Sequence, residues 1–169
     1  MVEVTWIPAS VVELIEAALV TELSVVRGDG RPITYPLIPL WDGEKVLMTS
    51  SILFSRKLEH VKENAHVSLS FSDPVALGGL SGRATIQGEA RVIDGDPHTD
   101  WEAVLPLWSA KEPVILQFLK ARVAFPLFFE RSVIEVVPRR VLFWPDGDTS
   151  SPPQVFFAPA VGESSGKAA

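Results

Sequence analysis

MTSSILFSRKLEHVKENAHVSLSF, residues 48–71, joins two strand-like runs through one short helix and sets a basic pair where that helix begins. Residues 46–50 are β-prone and follow a turn at Asp42 and Gly43. Ser55 is a candidate N-cap, and residues 56–64 read as helix with Leu58, Val61 and Ala65 to one side. Residues 66–71 alternate apolar and polar, the pattern of a half-buried strand. Arg56 and Lys57 fall in the first helical turn, where the backbone dipole disfavours a cation by about 0.3–1 kcal/mol. Free amide N–H groups, a guanidinium, an ammonium and the Ser55 hydroxyl would together suit a phosphate. Two basic residues at a helix start are also ordinary solvated surface, so the local pattern leaves both readings open.

Working outward, strands fill the first half of the chain and helices gather later. Ser10 with Glu13 forms a capping-box pattern opening a helix to about residue 19, whose Val11, Leu14, Ile15, Ala18 and Leu19 share a face and belong to the core. Residues 23–27, a Gly-Asp-Gly turn at 28–30 and residues 33–40 make a hairpin. Pro32, Pro36 and Pro39 lack backbone donors, so the second arm cannot be paired along both edges and should border an opening. Residues 97–120 read as helix, kinked or divided at Pro106 and Pro113, with Trp101, Val104, Leu105 and Trp108 at packing spacing. Residues 131–137 and 141–144 read as closing strands split by Pro138. Residues 1–144 form one domain, and 145–169 a flexible tail rich in Pro, Ser and Gly, within which residues 155–157 could add a short strand. The expected class is mainly β with flanking helices.

Composition limits the function. At 169 residues and 47% apolar content the chain can bury one sizeable core. A net charge of -6 argues against a nucleic-acid surface. The absence of cysteine removes disulfide, thiolate and cysteine-metal chemistry. No export signal or membrane span is read, so the cytoplasm is the expected location. The three histidines, His60, His66 and His98, show no metal-ligand spacing, and no metal is expected; His60 is read as a helix-surface residue and His66 as a strand start.

The segment FSRKLEHVKENAHVSLSF, the run GRATIQGEARVID at 82–94 and the hairpin TELSVVRGDGRPITYPLIPL at 21–40 together resemble the pyridoxamine 5'-phosphate oxidase-like FMN-binding split β-barrel family. The resemblance implies that Arg56 and Lys57 hold the FMN phosphate, that Ser55, Thr49 and Ser50 are lesser contacts, and that Tyr35, Pro36, Leu37 and Ile38 run beside the isoalloxazine. It further implies a homodimer with the cofactor at the subunit boundary, Trp144 reaching the flavin of the partner. A flavin would supply the hydride chemistry that the side chains lack. The implied activity is therefore oxidation or reduction of a small molecule at flavin N5. Some branches of the family use deazaflavin and others haem. FMN is expected first, deazaflavin as the alternative and haem last, and a non-catalytic carrier or sensor is the reading from a different class. Where the founding enzymes carry a late Arg-x-His for substrate, this chain has Phe-Trp-Pro-Asp-Gly-Asp, and the family's flavin-contacting Gln is Ala84.

Overall fold

The computed structural model describes residues 6–52, 56–120 and 130–160. Helix α1 (Ala9–Ala17) is followed by the hairpin strands β1 (Thr21–Val26) and β2 (Pro32–Leu37), the two-residue β3 (Leu40–Trp41) and β4 (Val46–Ser51). Helix α2 (Lys57–Glu63) leads to β5 (His66–Phe71) and the long β6 (Arg83–Ile93). A 3-10 turn (Asp100–Val104), α3 (Leu105–Lys111) and α4 (Ile115–Lys120) precede β7 (Arg131–Trp144) and β8 (Gln154–Phe157). The strands form one antiparallel sheet in the order β2-β1-β5-β6-β7-β4-β3, with β8 added to β7, curled into a split barrel.

The curl divides the apolar residues between two cores. Inside it, Val11, Leu14 and Ile15 of α1 and Leu58 and Val61 of α2 pack on Leu23, Met48, Leu69, Phe71, Ile86, Ile134 and Phe143. On the opposite face of the β3-β4-β7 end, Leu40, Leu47 and Val133 pack on Trp101, Val104, Trp108 and Ile115. The alternation of β4 makes this possible, since neighbouring strand residues face opposite sides. The Trp101 and Trp108 rings meet edge to face, so that pair is core.

Two local expectations change and a third is met. The Ser10 capping box does not form: Pro8 holds the N-cap position, its carbonyl accepting from the Val11 amide, and Ser10 lies within the helix. A proline already fixed near helical φ starts the helix without a side-chain cap. Pro138 does not split the last strand. Gly88 stands opposite Pro138 while Gln87 stands opposite Arg140, so Arg139 is the extra residue of a β-bulge and β7 continues through it. A bulge tolerates a residue without an N–H. As its prolines require, β2 is an edge strand, paired among the described residues only with β1.

Candidate functional site

Helix α2 delivers Lys57 from its first turn toward the start of β7. There Arg131 donates through Nε and Nη2 to Thr49 Oγ1, at 3.2 and 3.0 Å. The guanidinium carbon also lies 4.7 Å from the Trp108 ring centroid, which fixes it against the second core. Burial, and then repulsion from Arg131, hold the Lys57 ammonium below the usual lysine range. Burial lowers Arg131 to about 10, which leaves it cationic at neutral pH. Two partly desolvated like charges beside a threonine hydroxyl are stabilised by an anion, and a phosphate suits them.

The other wall is aromatic. Tyr35 of β2 places its ring 5.8 Å from Lys57 Nζ and its hydroxyl 2.9 Å from His60 Nδ1. His60 was expected on the helix surface, yet it is buried, because α2 turns that face toward the edge strand. A buried imidazole needs a polar partner, and Tyr35 is that partner.

The structure thus brings Thr49, Lys57 and Tyr35 together and adds Arg131 and His60. Arg56 caps α2 through its backbone, while its exposed side chain lies 3.6 Å from Glu59. Ser50 is buried on the opposite face of β4 and donates to the Ser51 carbonyl at 3.1 Å. Pro36 is exposed, Leu37 packs on the first core and Ile38 on the second. Trp144 donates through Nε1 to the Ser151 carbonyl at 2.9 Å. Ser55 lies outside the described residues. Arg131 was missed because its partners come from β4 and α2, far from it in sequence; an arginine opening a strand after a long apolar run was the available signal.

A family model described as pyridoxamine 5'-phosphate oxidase matches residues 7–145. No curated protein sequence matches the chain. Among solved structures, an F420 reductase is similar with TM-score 0.58 and 22% identity, over 82% of this chain and 99% of that one. A Clostridium acetobutylicum protein related to general stress protein 26 of B. subtilis, of the pyridoxinephosphate oxidase family, aligns with TM-score 0.60 and 15% identity, over 87% and 91% of the two chains. A heme binding protein from Mycobacterium smegmatis gives TM-score 0.60 and 16% identity over 90% of this chain and 59% of that one. At these identities the likeness is one of fold.

Proposed function

Because the chain belongs to the pyridoxamine 5'-phosphate oxidase family, we propose that it is a split-barrel oxidoreductase that binds FMN and acts on a small molecule. The observation that carries this reading is the paired, partly desolvated cations Lys57 and Arg131 beside Thr49. In it Lys57 and Arg131 hold the phosphate, Thr49 orients the Arg131 fork, Arg56 extends the cradle toward solvent, and Ser55 is a lesser contact. Ser50, Leu37 and Ile38 shape the strands behind it. Tyr35, held by His60, keeps the Lys57 ammonium in place, and Pro36 leaves the edge of β2 open beside it. When bound, the flavin supplies hydride transfer at N5.

The test is FMN titration followed by visible absorption and flavin fluorescence. Charge-assisted hydrogen bonds are worth about 1.5–3 kcal/mol each, so Lys57→Ala with Arg131→Ala should weaken FMN by on the order of 100-fold or more. Unchanged affinity in a folded double variant rejects the cradle. Stronger binding of a deazaflavin than of FMN in the wild type transfers the reading to that coenzyme.

Two finer parts belong to the same proposal. The protein is a homodimer with the cofactor at the subunit boundary, Trp144 of each copy approaching the other site; exposed Val114, Leu116 and Phe118 around α4 supply apolar surface for such contact. Light scattering that reports a monomer with full FMN occupancy counts against it. The protein is also not an efficient pyridoxamine 5'-phosphate oxidase. Where a second phosphate would need cations, hydrogen bonds from Ser150 hold the Asp148 carboxyl below its ordinary range, and Asp146 lies two residues away. A kcat/KM of about 10⁴ M⁻¹s⁻¹ or more for that substrate would overturn this.

A further inference from the structure

A second polar site lies on the outer face of the sheet. Cross-strand partners run in one row over six strands: Thr34, Ser24, Ser68, Gln87, Arg140 and Phe157. At strand spacing of about 4.8 Å, the part from Ser24 to Arg140 spans roughly 14 Å. A groove of about 520 Å³ follows this row, with Val26 and Pro32 on one side and His66, Glu89 and Arg139 along the next. Neighbouring residues of a regular strand point to opposite faces, which would leave at most one of Arg139 and Arg140 here. The bulge at Arg139 changes that, and both arginines line the same groove.

The charges at the groove are unequal. Arg139 Nη2 is neutralised by Glu89 Oε2 at 2.9 Å. Arg140 meets a neutral amide, Nη1 standing 3.4 Å from Gln87 Oε1, at the long limit of a hydrogen bond. Its Nε is out of solvent with no partner among the described residues. The exposed Phe157 ring lies beside the guanidinium, its centroid 5.6 Å from the guanidinium carbon. A buried donor without a partner costs free energy, and here it sits in a groove with two serine hydroxyls and an apolar wall.

We propose that this groove is a binding site for a small monoanionic organic carboxylate, with Arg140 as its fork. The carboxylate accepts from Arg140 and Ser68, and the apolar body lies against Val26 and Pro32. One uncancelled cation matches a monoanion better than a dianionic phosphate, and inorganic phosphate has nothing to place on the apolar wall. The site uses none of the residues of the Lys57 and Arg131 cluster and stands apart from the cofactor reading.

Benzoate is the probe, titrated into the full chain and followed by the His66 imidazole proton resonances and by calorimetry. Benzoate should bind saturably, benzamide should not, and inorganic phosphate should bind more weakly. Arg140→Gln should weaken benzoate by on the order of 10-fold or more, while Lys57→Ala leaves it unchanged. If Arg140→Gln does not fold, Arg140→Lys replaces it, and this variant should also lose affinity because a lysine lacks the planar fork. The proposal is overturned by any one of four results: no saturation, an equal response to benzamide, phosphate binding at least as tightly as benzoate, or full benzoate affinity in a folded Arg140 variant.

Discussion

Lys57 carries its charge under two pressures, loss of water and the neighbouring Arg131 guanidinium, and both act against the protonated form. Its pH behaviour follows. In the unliganded protein the folded state holds the Lys57 proton less tightly than the unfolded chain does. Stability should therefore rise as pH climbs from the lowered folded value toward the ordinary 10.5. A phosphate reverses the preference, because it needs the ammonium. FMN affinity, measured by fluorescence between pH 7 and 10, should fall as pH rises through that lowered value, and Lys57→Arg should flatten the fall. Tyr35 and His60 form a second residue-scale device. Tyr35→Phe leaves His60 Nδ1 without its 2.9 Å partner in a largely buried position, at a cost of about 1–3 kcal/mol in urea unfolding. A His60→Leu change made on that background should cost less than on the wild type, since the two groups share one bond.

Among the elements, the bulged pair of β6 and β7 controls most of the outer face. Gly88 lies where the strands are forced together: a Cβ there would stand 2.4 Å from the Val137 carbonyl oxygen and 3.1 Å from its carbon. Both obstacles are backbone and cannot rotate away. Gly88→Ala should destabilise by about 2–4 kcal/mol in urea and disturb the Arg140 resonances in the same sample. A folded Gly88→Ala protein of wild-type stability would show that the bulge can relax. This element also marks a limit of sequence reading. The limits of β5 were legible to the residue because its alternation is uninterrupted and both ends are punctuated. Pro138 announced a break because a proline cannot join a regular ladder, but whether it ends a strand or sits in a bulge depends on a glycine in the neighbouring strand. That pairing has no local signature.

For the molecule as a whole, Lys111 ties three parts together. Its ammonium donates to the Ile15 carbonyl of α1 at 2.8 Å and to the Pro39 carbonyl between β2 and β3. Burial lowers it to about 8, opposed in part by Glu16. Between about pH 8 and 10.5 the unfolded chain binds this proton more tightly than the folded protein. Wild-type stability, relative to Lys111→Met, should therefore increase across that window in thermal melts; a constant difference would show that Lys111 keeps its proton. Such long-range ties explain what was readable and what was not. The family, the barrel and the basic helix start lie in contiguous patterns such as residues 48–71. The Arg131 contacts and the shared direction of Arg139 and Arg140 exist only once β7 has been placed among β4, β6 and β8, and the His60 bond only once α2 lies against β2. That strand also bears on biosynthesis. It supplies the second edge of the 11-residue β6 and closes β4, yet it is made after both. Until residue 144 clears the ribosome, the nascent chain carries an open ladder with apolar residues at alternate positions, the kind of surface that chaperones cover and that aggregates when translation stalls.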